Sequence, residues 1–94
     1  MARITINFIG QWRLYLGEEP VTAEAETIKD VRDLVENHFG PVFREKMRSK
    51  GIGKNTSVWE NSNILLNGRN IKQLAEQVLE DGDIVDLLPR MAGG

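Results

Sequence analysis

The chain has 94 residues, of which 40% are hydrophobic and 28% are charged, and its formal net charge is −2. This size and composition are typical of one globular domain, and the balanced charge gives no support to nucleic-acid binding, which usually requires a basic excess. The sequence contains no cysteine, so disulfides, zinc–thiolate sites and cysteine nucleophiles are excluded. No apolar stretch reaches the roughly 20 residues of a membrane helix, and the N-terminus lacks a signal-peptide pattern. We therefore expect a cytoplasmic protein.

The first part of the chain predicts a β-hairpin. Ile4, Ile6 and Phe8 recur at every second position, which is the pattern of a strand with one buried face. Residues 11–17 are predicted as a turn, and residues 21–26 as a second strand that pairs with the first.

The next apolar pattern predicts a helix that begins after Thr27. Thr27 is a good N-cap, and Asp30 three residues later resembles the second half of a capping box. Gly40 and Pro41 end this helix, and Pro41 can begin a second, shorter one that Gly51 ends. The apolar stripe of the first helix consists of Ile28, Val31, Leu34, Val35 and Phe39.

The last third of the chain returns to strands. Residues 64–66 predict a buried strand that enters the tight-turn signal Asn67-Gly68. A short helical turn is predicted within residues 74–79, and Asp81-Gly82 leads into a final strand over residues 83–88.

This order of elements predicts an α+β fold with a helix packed on one face of a mixed sheet of about four to five strands. The connectivity fits the β-grasp fold, in which the first and last strands are neighbours. The predicted core consists of Ile4, Ile6, Phe8, Ile28, Val31, Leu34, Val35, Leu65, Val85 and Leu87.

The end of the chain predicts a functional tail. Pro89 follows the last strand, and residues 90–94 finish with Gly93 and Gly94. Glycine has no Cβ, so such a tail fits a slot that is too narrow for other residues. Gly94 also carries an α-carboxylate, which is ionised at neutral pH. We therefore divide the chain into a folded domain, residues 1–89, and a flexible tail, residues 90–94. The alternative is a frayed end without function.

Three motifs, taken in this order and spacing, resemble the ubiquitin-like sulfur carrier proteins. They are Ile64–Gly68, Leu79–Val85, and Leu88-Pro89 followed by Ala92-Gly93-Gly94. That family includes the small subunit of molybdopterin synthase, the thiamine sulfur carrier and the small archaeal modifier proteins. Residues 8–13 resemble the start of the molybdopterin-synthase type, whose members commonly carry a second proline where this chain has Arg90.

The resemblance implies a sulfur-carrying co-substrate without a catalytic site of its own. In the family, a ubiquitin-activating-type adenylyltransferase uses ATP to adenylate the terminal carboxylate, here that of Gly94. A sulfur donor then displaces AMP and leaves a thiocarboxylate. The carrier delivers this sulfur inside an acceptor such as a molybdopterin synthase large subunit, with Ala92 and Gly93 threading the channel. No bound cofactor or metal is expected.

Strand parity predicts a docking surface beside the tail. If the alternating apolar residues of the first and last strands face the core, Ile9 and Leu88 face away from it. In a β-grasp fold these two residues lie on neighbouring strands, and an apolar patch there suits docking to the activating enzyme and the acceptor. Arg90 and Met91 extend this patch. The alternative is that single exposed aliphatic residues are normal.

The remaining residues of note favour structural roles. His38 is the only histidine and lies at the end of the first helix, where an imidazolium favours the helix dipole. Trp12 and Trp59 are predicted in or at the rim of the core. Residues 44–54 form a basic stretch that is predicted to be a solvated helix face, and the alternative is a surface for an acidic partner.

Several functions remain open from the sequence. A ubiquitin-like modifier joined through Gly94 to lysines of other proteins uses the same tail as a molybdopterin-type or thiamine-type sulfur carrier. A self-sufficient enzyme is disfavoured because no nucleophile motif or histidine pair is present. A non-covalent binding module predicts that removing Gly93 and Gly94 leaves function intact.

Overall fold

A computed structural model of the chain describes residues 1–49, 57–73 and 78–90. Within these ranges five strands form one sheet in the order β2-β1-β5-β3-β4. The strands are β1 (Ala2–Phe8), β2 (Val21–Ala25), β3 (Ser62–Leu66), β4 (Arg69–Asn70) and β5 (Ile84–Pro89). The helices are α1 (Gln11–Leu16), α2 (Ile28–His38) and α3 (Gly40–Ser49), and a 3-10 helix spans Ile71–Gln73.

The strands from the two ends of the fold meet at the centre of the sheet. β1 and β5 are parallel, with Thr5 opposite Ile84 and Phe8 opposite Leu87. β2 pairs antiparallel with β1, and β3 pairs antiparallel with β5. This mixed five-stranded sheet with helices packed against it confirms the predicted β-grasp arrangement.

Local sequence explains where α2 begins. The Thr27 hydroxyl accepts the Asp30 N–H at 3.3 Å, and the Asp30 carboxylate accepts the N–H groups of Thr27 at 3.2 Å and Glu26 at 3.0 Å. These bonds form a complete capping box, which satisfies N–H groups that have no partner inside the helix.

One apolar core lies between the sheet and the helices. β1 contributes Ile4, Ile6 and Phe8, and β5 contributes Val85 and Leu87, all at most 4% exposed. Phe8 packs edge-on against Phe39 with ring centroids 4.8 Å apart. The core side chains from the helices are Trp12, Ile28, Val31, Val35, Phe43 and Met47. The predicted core positions on β1, β5 and α2 are therefore confirmed, except that Leu34 is only partly buried.

Two sequence predictions were wrong. Residues 11–16 form a short helix instead of a turn, because the Trp12 side chain is buried and packs edge-on against Phe43 at 5.0 Å. Leu65 is not a core residue. In β3 the inward positions are Ser62, Ile64 and Leu66, so Leu65 lies on the outer face opposite Asp86.

The core also contains residues that the predicted core lacked, among them Val58 and Leu79. Val58, which is fully buried, belongs to a turn in a polar stretch. Leu79 is 6% exposed and its N–H donates to the Glu26 carbonyl, next to a bridge between Thr27 and Val78. Other residues of the helical turn predicted over residues 74–79 lie outside the described ranges.

Candidate functional site at the root of the tail

The parallel pairing of β1 and β5 brings Ile9 and Leu88 side by side. Phe8 lies opposite Leu87, and the Ile9 N–H continues the ladder by donating to the Leu87 carbonyl at 2.9 Å. Ile9 is 36% exposed and Leu88 is partly buried. The structure therefore places Ile9, which directly follows β1, beside Leu88 of β5 at the end of the sheet where the tail begins. Their role in binding stays a prediction.

The outer face of the sheet continues this apolar surface. Ile84 is 42% exposed on β5, and Leu65 is partly buried on β3. Between them, Asp86 accepts a hydrogen bond at 3.0 Å from the Asn7 side-chain amide. The face also carries polar residues beside the aliphatic ones, with Thr5 opposite Ile84 and Asn63 opposite Leu88. We call Ile9, Leu65, Ile84 and Leu88 the outer apolar surface.

The backbone at the root of the tail is held as far as Arg90. Pro89 lies opposite Ser62, and the Arg90 N–H donates to the Asn61 carbonyl at 2.8 Å. The Arg90 guanidinium also donates to the Glu60 carbonyl at 3.3 Å. The predicted site residues Met91, Ala92, Gly93 and Gly94 lie outside the described residues.

Gly10 lies against Pro89 on the side of the root that faces α1. Its backbone has φ +64° and ψ −132°, a conformation that is essentially restricted to glycine. A Cβ at this position would lie 3.6 Å from Cδ of Pro89. The sharp turn at Gly10 therefore places the start of α1 against the last residue of β5.

A chain of two buried hydrogen bonds connects the elements next to the root of the tail. The Trp12 indole N–H donates to the Ser62 hydroxyl at 2.7 Å, and this hydroxyl donates to the Val58 carbonyl at 2.6 Å. These bonds join α1, β3 and the turn before β3 at Ser62, the residue that lies opposite Pro89. Sequence reasoning missed Ser62, although an isolated serine beside an apolar strand, together with a tryptophan that needs an acceptor, was an available signal.

Glu36 of α2 holds the turn that receives Arg90. Its carboxylate accepts the Ser57 hydroxyl at 2.6 Å and the Trp59 N–H at 2.9 Å. Arg44 lies 4.0 Å from the same carboxylate. These contacts fix residues 57–61, whose carbonyls in turn bind Arg90.

Among the described residues, the carboxyl group with a clearly shifted pKa lies far from the root of the tail. The pKa of Asp30 is lowered from its ordinary value of 3.8, mainly because the backbone N–H groups of Glu26 and Thr27 donate to its carboxylate. Asp30 caps α2 next to Ala25, which pairs with Ala2 at the opposite end of the sheet from the tail. The exposed His38 lies in the last turn of α2, as predicted.

Two kinds of feature are absent from the part of the chain that the structure describes. Residues 1–49, 57–73 and 78–90 contain no cluster of three histidine, aspartate or glutamate side chains that could hold a metal ion. No helix in these ranges has the length and apolar character to cross a bilayer.

Comparison with known proteins identifies the family. The model of the ThiS family matches residues 6–94, which is nearly the whole chain and includes the diglycine. The chain belongs to the ThiS family. It is thereby a member of the ubiquitin-like sulfur carrier proteins that its motifs resemble. No sequence among the curated proteins matches it significantly.

Solved structures with the same fold include members of two functional groups. Small archaeal modifier protein 1 from Methanosarcina acetivorans has a TM-score of 0.72 and 26% identity, with 100% of this chain and 98% of that chain covered. Subunit 1 in the complex of subunits 1 and 2 of molybdopterin-converting factor from Helicobacter pylori has a TM-score of 0.62 and 24% identity, covering 98% and 99%. Small archaeal modifier protein 1 from Haloferax volcanii has a TM-score of 0.65 and 21% identity, covering 99% and 100%. Those below 25% identity establish the fold alone.

Proposed function

We propose that this protein carries sulfur as a thiocarboxylate on Gly94 for cofactor biosynthesis, in the first instance for molybdopterin. The observation that carries the proposal is the family match, because it extends through residues 93 and 94. The backbone held as far as Arg90 supports it, because the residues that carry the chemistry then follow a fixed root.

The proposed chemistry needs activation because a carboxylate is a poor electrophile. A ubiquitin-activating-type adenylyltransferase transfers AMP from ATP to the Gly94 carboxylate and releases pyrophosphate. A sulfur donor attacks the acyl carbon, AMP leaves with one of the original carboxylate oxygens, and the thiocarboxylate remains. Every catalytic group belongs to the partner enzymes, so the carrier contributes its tail and its docking surface.

Two partners follow from this scheme, the activating enzyme and a sulfur acceptor. The H. pylori subunit 1 was solved in complex with its subunit 2, which supports an acceptor of the molybdopterin synthase large-subunit kind. We propose that both partners contact the outer apolar surface at Ile9 and Leu88, with Arg90 and Met91 at its border. The activating enzyme and the sulfur acceptor can use the same surface beside the tail, because they bind the carrier one after the other.

A second candidate is a protein modifier joined through Gly94 to lysine side chains. The likeness to the small archaeal modifier protein of M. acetivorans favours it, at 26% identity over the whole chain. A thiamine-type carrier is a further possibility within the same chemistry, because the matching family is named for that type.

Intact-mass measurement tests the proposal. The purified protein is incubated with ATP, a sulfide source and the host's activating enzyme, and a mass increase equal to exchanging one oxygen for one sulfur is expected. Deleting Gly94 should abolish the shift. No shift with an enzyme that demonstrably adenylates the chain would refute the carrier function.

Tryptic digestion separates the two candidates in the same cells. Trypsin cleaves after Arg90, so a modified lysine would retain the four residues Met91–Gly94 as a branched remnant. A carrier instead yields these four residues as a free peptide that ends in a thiocarboxylate. Remnants on lysines without any thiocarboxylate peptide would favour the modifier.

A further inference from the structure

Part of β3 has a strand on only one side. β5 pairs with all five residues of β3, whereas β4 pairs only with Leu65 and Leu66. β4 ends early because the Asn70 side chain accepts the Lys72 N–H at 2.9 Å as the chain enters the 3-10 helix. Among the described residues, no strand therefore lies beside the second edge of Ser62–Ile64.

A groove of about 390 Å³ follows this uncovered edge. Its apolar lining comes from the partly buried Trp59 and Ile71 and from Ile64. Trp59 is held in place because its N–H donates to Glu36 at 2.9 Å. A strand edge beside apolar side chains is the arrangement by which proteins bind an extended peptide through added strand pairing.

Two cations line the groove. Lys72 is exposed, and in the described ranges it forms no salt bridge with a carboxylate. Arg90 donates to the Glu60 carbonyl, a neutral acceptor, so this bond leaves its charge uncompensated. Among the described residues of the lining, Glu60 is the one acidic residue beside these two cations, so this part of the lining has a net positive charge.

We propose that this groove binds an extended, acidic segment of another protein, which adds as a strand along Ser62–Ile64. The cations supply the charge complementarity, and the open edge supplies the Ser62 carbonyl and the Ile64 N–H, which point away from β5. The Ser62 N–H is not available, because it already donates to the Trp59 carbonyl at 3.1 Å. The opposite edge of the sheet, strand β2, is less suited to such a segment. The edge strand β2 is preceded by Pro20 and carries Glu24, and prolines and charges of this kind protect edges from pairing.

The position of the groove gives this binding a consequence for the tail. Arg90 belongs both to the groove lining and to the root of the tail. A segment bound there contacts the carrier on the β3 side of the root, whereas Ile9 lies on its β1 side. The groove can therefore add affinity for a partner without covering the outer apolar surface.

Titration with a synthetic peptide tests the proposal. The probe is an acetylated eight-residue peptide that alternates valine with glutamate, and its control replaces every glutamate by lysine. Amide NMR of the full chain should show shifts at Ser62–Ile64 and at the Trp59 indole with the acidic peptide, and slower hydrogen exchange at the Ile64 amide, which faces the open edge. The lysine peptide should bind more weakly by roughly three- to tenfold.

Charge-reversal variants sharpen the test. Lys72→Glu should weaken acidic-peptide binding by roughly three- to tenfold and reverse the preference between the two peptides. Lys46→Glu makes the same charge change on the exposed side of α3 and should leave the affinity unchanged. Shifts that map to Val21–Ala25, equal affinity for both peptides, or peptide-induced dimerisation of the protein would each overturn the proposal. The assay contains no activating enzyme and no sulfide, so its result is independent of the proposed carrier function.

Discussion

Replacing Ser62 by alanine should destabilise the protein through one specific group. Ser62 is 7% exposed and its hydroxyl accepts the Trp12 indole N–H at 2.7 Å. The same hydroxyl donates to the Val58 carbonyl, but that carbonyl also accepts the Asn61 N–H at 3.2 Å and keeps a partner in the variant. The substitution therefore leaves one buried donor, the Trp12 N–H, without an acceptor.

The expected loss follows from that count. One unsatisfied buried polar group costs about 1–3 kcal/mol of unfolding free energy. In a domain of this size, each kcal/mol corresponds to about 4–8 °C in Tm, so we expect Tm to fall by about 5–20 °C. Ser49→Ala is the matched control, because the Ser49 hydroxyl bonds the Lys46 carbonyl on the exposed end of α3 and its loss should cost less than about 0.5 kcal/mol.

The assay is urea and thermal unfolding followed by circular dichroism. A cycle with Trp12→Phe isolates the hydrogen bond, because the Ser62→Ala change should cost less once the indole N–H is gone. A Ser62→Ala variant as stable as the Ser49→Ala control would refute the reasoning. Strict additivity in the cycle would do the same.

Three further predictions concern the tail root, the docking surface and the capping box. Gly10→Ala should lower the unfolding free energy by about 1–3 kcal/mol through backbone strain. A clash should not add to this loss, because the new Cβ would lie 3.6 Å from Cδ of Pro89, which is an ordinary contact distance. Urea unfolding measures the loss, and an unchanged stability would contradict the prediction. Ile9→Asp should weaken binding of the activating enzyme by about tenfold or more, measured by calorimetry, with Tm unchanged. The control is Val42→Asp, because Val42 is 44% exposed on α3 and its replacement should leave the affinity unchanged. Equal losses of affinity in the two variants would exclude the docking role of Ile9. Asp30 has a lowered pKa in the folded protein, so its contribution to stability is full above its ordinary pKa of 3.8 and is lost as pH falls through the lower folded value. The Tm difference between wild type and Asp30→Asn should therefore narrow below about pH 4. A difference that stays constant down to acid unfolding would contradict this prediction.

The period of the hydrophobic pattern was sufficient to predict most elements. Alternation over Ile4, Ile6 and Phe8 fixes which face of β1 is buried, because side chains of a strand point to opposite faces in turn. Asn67-Gly68 predicts the two-residue turn between β3 and β4 because both residues have positive φ there, 51° and 87°. Such signals are local, and the physics that produces them acts over a few residues.

Predictions failed where the deciding contact lies far away in sequence. Leu65 and its neighbours are all aliphatic, so their composition does not indicate which of them faces the core. The pairing of Ile64 with Leu87 makes that choice. Residues 11–16 likewise form α1 instead of the predicted turn because of contacts that Trp12 makes far along the chain. Its ring packs against Phe43, 31 positions later, and its N–H donates to Ser62, 50 positions later.

The sequence by itself determined the fold class, the capping of α2 and the family motifs, because each depends on residue types at short, fixed spacings. Only the tertiary structure decided how the root of the tail is supported. Glu36 binding the 57–61 turn and Arg90 binding that turn's carbonyls are contacts between segments that the chain brings together only on folding. The uncovered edge of Ser62–Ile64 also belongs to this second class, because an edge exists only once the order of the strands is set.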